Sequence, residues 1–118
     1  NRFNNITIDG ANFNNNFGLS TNNMPGGDAQ PISLDALELL WNIQNGCCAL
    51  TGWQMTMELS NGVVQTNCSL DRIDSSIGYV VGNVQLVCRI ANVSKTALST
   101  DDFIKLCQAV LEQKNAKS

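Results

Sequence analysis

Ser69-Leu70-Asp71-Arg72-Ile73-Asp74, then Gly78-Tyr79, then Gly82-Asn83-Val84-Gln85-Leu86-Val87-Cys88, then Asn92 and Lys95: the fold turns on these blocks. Residues 69–74 mix apolar and polar side chains with the period of a half-buried strand. Residues 75–79 read as a loop, residues 84–88 as a second strand and residues 90–98 as a short helix. Asp71 and Asp74 then lie on one strand with Arg72 between them. Asp74 shares the strand face of Arg72 and not that of Asp71. Asp71 and Asn92 carry hard oxygen donors of the kind Mg²⁺ takes, and a strand–loop–strand–helix unit is able to bring them together. Singly these residues say little. A strand Asp is usually solvated or paired, a helix Asn is usually a cap or a surface residue, and Arg89 and Lys95 read equally as solvated charges. The Arg72–Asp74 pair reads equally as a structural ion pair. It is the order of the whole set that points to a site.

Upstream, Ser33 is a good N-cap with Asp35 in the following turn. Leu34, Leu37, Leu40 and Trp41 recur at helical spacing, Leu39 and Ile43 widen the stripe, and Asn45-Gly46 ends it. Cys48-Ala49-Leu50-Thr51-Gly52 reads as a tight knuckle, and Asn61-Gly62 as a hairpin-type turn. Downstream, Ser99-Thr100-Asp101-Asp102 is a variant capping box. It opens a helix over residues 100–114 with Phe103, Leu106, Val110 and Leu111 on one face, and Cys107 reads as core. Residues 1–32 form an Asn-rich, irregular N-terminal arm with a short strand near Ile6–Ile8. The arm is read either as a surface extension packed by its aromatics or as a DNA-contacting or dimer-swapping segment.

The chain has 118 residues, enough for one domain with a modest core. It starts at Asn1 without a Met, which reads as a fragment or a processed product. No apolar run approaches the ~20 residues of a membrane span, so no membrane partner is expected. The net charge of −3 argues against a nonspecific nucleic-acid coat, yet leaves room for a nuclease with a few local cations. With no His, a Ser-His-Asp triad, a Cys-His pair and any His-ligated zinc are excluded. Five Cys, two of them adjacent, make a poor disulfide framework, so a reducing, cytoplasmic compartment is expected.

The blocks Cys48–Gly52, Ser69–Asp74, Gly78-Tyr79, Gly82–Cys88 and Asn92 with Lys95 together resemble the HNH endonuclease family. The similarity is to its phage and mobile-element type and covers residues 48–106. It implies an α+β fold: a small, treble-clef-like ββα-metal core flanked by helices, with the nuclease domain at 33–118 and its core at 47–98. It implies one divalent cation, Mg²⁺ with Mn²⁺ as a substitute, held by Asp71 and Asn92. Asn83 falls on the family's middle Asn, which orients the neighbouring backbone and active-site residue. Arg72, Arg89 and Lys95 are the expected nucleic-acid contacts, DNA is the expected partner, and the site of action is inside a host cell.

This sequence departs from the family pattern in two places. Where members carry two C-x-x-C zinc pairs, only Cys48 and Cys88 remain, with Thr51 and Ala91 in the other places, so no structural zinc is expected. Where the family has a His after the metal-binding Asp, this chain has Arg72, which stays protonated and supplies no general base. Arg72 is left to clamp phosphate, and Asp74 to activate water or orient Arg72. The resulting expectation is a metal-dependent DNA endonuclease that nicks, or as a homodimer cuts both strands. The alternative is a catalytically weak or inactive HNH-derived DNA-binding module.

Overall fold

The computed structural model describes residues 2–3, 7–8, 11–12, 32–59 and 62–116. Most of the arm, including Phe13, Phe17 and Leu19, lies outside the described residues, as does Asn61 of the expected 61–62 turn. In the arm, β1 (Thr7–Ile8) pairs antiparallel with β2 (Ala11–Asn12), overlapping the expected strand.

Helix α1 spans Leu34–Ile43. Its N-cap is Ser33, whose hydroxyl oxygen accepts from the Ala36 N–H at 3.1 Å. Positive φ at Asn45 and Gly46 ends the run. At Gly46 an added Cβ would lie 2.6 Å from Gln54 Nε2 and 3.0 Å from the Trp41 ring, so this turn requires glycine. Leu37 is fully buried and Leu34, Leu40 and Trp41 are partly buried, but Leu39 and Ile43 are exposed and do not widen the buried stripe. Arg2 and Phe3 pack on this helix. Phe3 is buried with its ring edge-on to Trp41 at 6.4 Å, while Arg2 lies over the same indole and pairs with Glu38 at 3.0 Å.

The centre of the fold is an antiparallel pair, β3 (Cys68–Arg72) and β4 (Val84–Cys88), followed directly by α2 (Arg89–Lys95). This is the expected ββα arrangement within an α+β fold, with α1 and α3 (Thr100–Ala116) flanking it. The register pairs Cys68 with Cys88, Leu70 with Leu86, Asp71 with Gln85 and Arg72 with Val84. The sequence reads as a half-buried strand, but residues 68–71 are buried on both faces. The reason is that Ser69 and Asp71 face α2 while Cys68 and Leu70 enter the core with Leu37, Met55 and Leu86.

Strand β3 stops at Arg72, two residues earlier than expected, because the next residues turn into a loop organised by Asn83. Asn83 Oδ1 accepts from the Asp74 N–H at 2.9 Å, and its Nδ2 donates to the carbonyls of Asp74, Ile77 and Gly78. Gln44 clamps the other side of the sheet. It donates to the Leu86 carbonyl at 2.8 Å and accepts from the Leu86 N–H at 3.0 Å, taking the place of a neighbouring strand.

Helix α3 is capped by Ser99, which accepts from the Asp102 N–H at 3.1 Å, and it runs to Ala116. It buries none of its residues. Cys107, read from sequence as core, is exposed, as are Leu106, Val110 and Leu111. Helical periodicity identifies the apolar face correctly, but in the described residues no element is packed over it. No helix among the described residues is long and apolar enough to cross a membrane.

Candidate functional site

Asp71 is the fourth of the five residues of β3, with its carboxylate turned to α2, and it is 2% exposed. Lys95, from the last turn of α2, brings its ammonium to 3.1 Å from Asp71 Oδ1; the two side chains are 1% and 3% exposed. Gln85, the direct cross-strand neighbour, donates to Asp71 Oδ2 at 2.8 Å. Asn92 lies three residues before Lys95 and therefore on the same side of the helix. Its Nδ2 donates to Ser69 Oγ at 2.7 Å and to the Leu70 carbonyl at 3.2 Å. Helix α2 is thus fastened to β3 at three consecutive residues, 69, 70 and 71.

The structure brings Asp71, Asn92 and Lys95 together and sets the other expected residues apart. Arg72 is on the opposite strand face, with its guanidinium 5.3 Å from the centre of the Tyr79 ring, a cation–π arrangement. Asp74 is exposed and bonded to Ser76: its Oδ1 accepts from the Ser76 hydroxyl at 2.6 Å and from the Ser76 N–H at 2.9 Å. Those two bonds, the hydroxyl first, lower the Asp74 pKa. No ion pair joins Arg72 to Asp74, because the turn after Arg72 carries Asp74 off the strand and onto Ser76. Arg89, at the start of α2, donates to Gln65 Oε1 at 3.1 Å on the surface. Lys95 is not the solvated charge that its type suggests; it is among the most buried side chains described.

Asp71 and Asn92 fit a hard divalent cation by the chemistry of their oxygens, and a cation of this class fills its remaining positions with water and phosphate. Both Asp71 oxygens are already engaged, however, and Lys95 holds the place beside Oδ1. A cation binds there only if the ammonium withdraws. Among the described residues no three His, Cys, Asp or Glu side chains are grouped to hold a metal ion.

The knuckle closes on itself through the Gly52 N–H to the Cys48 carbonyl at 2.8 Å and the Thr51 N–H to Cys48 Sγ at 3.4 Å. Burial raises the Cys48 pKa. Hydrogen bonds from the Thr51 hydroxyl and from the backbone of Cys88, Thr51 and Leu50 outweigh burial and leave it below the ordinary thiol value. Cys88 is pushed up to about 11, first by burial, then by the charge of Cys48 and the hydrogen bond to it, with the Thr51 hydroxyl acting the other way. Cys48, Thr51 and Cys88 therefore form a small hydrogen-bonded cluster, with Ala91 buried on α2.

A groove of about 390 Å³ lies between the knuckle, α2 and α3, lined by Leu50, Trp53, Ile90, Phe103, Ile104 and Cys107 among others. None of Asp71, Arg72, Asp74, Asn83 or Asn92 lines it.

Sequence reasoning does not single out Gln85 or Ser69. A signal exists for Gln85: it is the one polar residue inside Val84-Gln85-Leu86-Val87, and a polar residue in a buried strand calls for a buried partner. Compared with family models, with curated proteins and with solved structures, the chain matches none of them.

Proposed function

We propose that the chain is an HNH-type DNA endonuclease of the treble-clef-like ββα-metal fold, hydrolysing phosphodiester bonds inside the cell. What supports this reading is one convergence. The strand Asp71 and the helix residues Asn92 and Lys95 meet across the ββα unit, the Asp71–Lys95 contact spanning 24 residues of sequence. Asp71 and Asn92 would hold one divalent cation, Mg²⁺ or Mn²⁺, whose chemistry is Lewis-acid stabilisation of the charge that builds on phosphate oxygens.

The chain's own residues do the rest. Lys95 withdraws from Asp71 and its ammonium becomes free for a backbone phosphate. Arg72, on the opposite strand face, and Arg89, at the start of α2, add cations away from the Asp71 carboxylate, and contacts of this kind position DNA without reading its sequence. Asn83 keeps the loop 74–78 in place. The proton of the attacking water goes to solvent, or to Asp74 once its carboxylate leaves Ser76. Asp74 is a weak base because Ser76 stabilises its charged form, so turnover is slow. The deficit relative to a well-matched base is about 10²–10⁴-fold. One such unit cuts one strand, so a double-strand break takes two copies or two successive nicks.

A second reading has its own observation. The buried Asp71–Lys95 pair already neutralises the carboxylate, which is what an HNH-derived DNA-binding module without activity needs. Nicking of supercoiled plasmid with Mg²⁺ or Mn²⁺, with and without chelator, separates the two. The endonuclease reading requires metal-dependent nicking that Asp71→Asn abolishes, assayed below the melting temperature of the variant, which breaking the buried pair with Lys95 lowers, and with circular dichroism showing it folded. Chelator-insensitive DNA binding without nicking supports the second reading. Loss of both binding and nicking removes both.

A further inference from the structure

All five cysteines are free thiols, and Cys48, Cys68 and Cys88 are buried in one core. Cys48 is 3% exposed and Cys88 is fully buried, and a hydrogen bond joins their thiols. The backbone fixes this meeting. The Ala49 N–H donates to the Leu86 carbonyl at 2.9 Å and the Cys88 N–H donates to Cys48 Sγ, so the knuckle runs along the outer edge of β4. Cys48 Sγ also accepts from the Thr51 N–H at 3.4 Å, from the Leu50 N–H and from the Thr51 hydroxyl.

A sulfur ringed by donors is held as a nucleophile. Burial opposes charge on Cys48, but the donors outweigh it, whereas burial prevails at Cys88, so Cys48 ionises first. The Thr51 hydroxyl bonds both thiols, and Thr51 and Ala91 line the groove between the knuckle, α2 and α3. The pair therefore lies one side chain behind the groove wall, within reach of a small neutral oxidant. Cys68 is the rival partner for Cys88, directly opposite it on β3. Cys48 is preferred because its thiol already bonds that of Cys88.

We propose that Cys48 and Cys88 form a reversible disulfide, with hydrogen peroxide as the oxidant. The Cys48 thiolate attacks one peroxide oxygen, the O–O bond breaks and hydroxide leaves, giving a sulfenic acid at Cys48. The hydroxide takes up the proton that Cys48 released. The Cys88 sulfur then attacks Cys48 Sγ, the S–O bond breaks, and the Cys88 proton leaves with the hydroxyl as water. The two sulfurs lose two electrons and the peroxide is reduced to two waters. Two equivalents of a low-molecular-weight thiol reopen the bond by exchange, so in a reducing compartment the pair rests as thiols. Cys88 immediately precedes α2, so the bond staples the knuckle to the joint between β4 and α2 and closes a loop of about 40 residues. This stands independently of the enzymatic reading.

Stoichiometric hydrogen peroxide added to the folded, reduced Cys47→Ser, Cys107→Ser chain tests it; of those two thiols Cys47 is half-buried and Cys107 exposed. The expected product is a monomeric chain lighter by two hydrogens. Its chymotryptic map should show the Cys48 and Cys88 peptides linked, and dithiothreitol should part them. The melting temperature should rise by about 5 °C or more over that of the reduced chain. Cys48→Ala in the same background should abolish the link. A link between Cys68 and Cys88 overturns the proposal. So does a Cys48 that ends as sulfinic acid without a link, and so do thiols that persist at peroxide concentrations that oxidise free cysteine. A melting temperature that falls on linkage overturns the staple.

Discussion

Replacing Lys95 by Met keeps the bulk of the side chain and deletes the charge that faces Asp71. No cavity opens, so the effect isolates the ion pair. The two side chains are 1% and 3% exposed and 3.1 Å apart. Removing one partner of a buried pair costs about 3–5 kcal/mol, because the other charge is stranded. Gln85 still donates to Asp71 Oδ2, which holds the cost to the lower part of that range. There is also a ceiling. An ordinary carboxyl group can be neutralised at pH 7 for about 4 kcal/mol, at 1.36 kcal/mol per pH unit above a pKa of about 3.9. At pH 5 the same arithmetic gives about 1.5 kcal/mol. The native variant takes up a proton that its unfolded chain does not, so its deficit against wild type shrinks as the pH falls. The expected loss is therefore about 3–4 kcal/mol at pH 7 and about 1.5 kcal/mol at pH 5. Urea denaturation followed by the fluorescence of Trp41 and Trp53 measures it, and the midpoint at pH 7 should drop by about 1–3 M. The double variant Asp71→Asn with Lys95→Met should recover most of the loss. A Lys95→Met variant within about 0.5 kcal/mol of wild type at pH 7 would refute the reasoning. So would a deficit that does not change with pH.

Four further outcomes follow from the same geometry. With its ammonium gone, the Lys95→Met variant should gain more thermal stability from Mg²⁺ or Mn²⁺ than wild type does, read as a shift in melting temperature at fixed metal concentration. Because the folded Cys88 pKa is raised to about 11, its contribution to stability is complete below the unfolded thiol value of 9.0 and is lost as the pH rises toward 11. Cys88→Ala should flatten that part of the stability–pH curve by up to about 2–3 kcal/mol. Gly46→Ala should cost more than about 1 kcal/mol in urea denaturation, from a positive φ and a clash with Gln54 and Trp41 together. Arg72→His places a titratable imidazole on the strand face opposite Asp71; if residue 72 faces the attacking water, its nicking rate should acquire a pH dependence near 6.5.

The fold is legible in the sequence where the signal is local. Ser33 before Leu34, Asn45-Gly46 after Ile43, and Ser99 before Thr100 each mark a helix end that the structure keeps. The strand 84–88 is found to the residue, and the strand 68–72 is displaced by only one or two. What the sequence hides is what covers a face. The periodicity of α3 finds its apolar stripe but carries no information on whether anything lies over it, so Cys107 is misread as core. The same gap hides the burial of Lys95, whose partner is 24 residues away. The Arg72–Asp74 pair fails for a different reason. Two-residue alternation holds only while the strand continues, and Asn83 ends it by drawing the backbone of Asp74 into its loop.

Side-chain amides fasten this ββα unit at each of its joints. Gln44 holds the outer edge of β4, Asn67 holds the Glu58 backbone, Asn83 holds the loop between the strands, and Asn92 holds β3 against α2. Each amide group offers both a donor and an acceptor, so a single side chain is able to stand in for a missing strand neighbour. A core of this size gains from such fastening. The same economy constrains the candidate site. Asn92 orients its amide on Ser69 and Leu70, and Asp71 spends both oxygens on Lys95 and Gln85. A cation that recruits Asp71 and Asn92 must therefore displace contacts that fasten α2 to β3. Its binding free energy is the difference between what it gains there and what those contacts give the fold, so the affinity of the site and the stability of the ββα unit are set by the same residues.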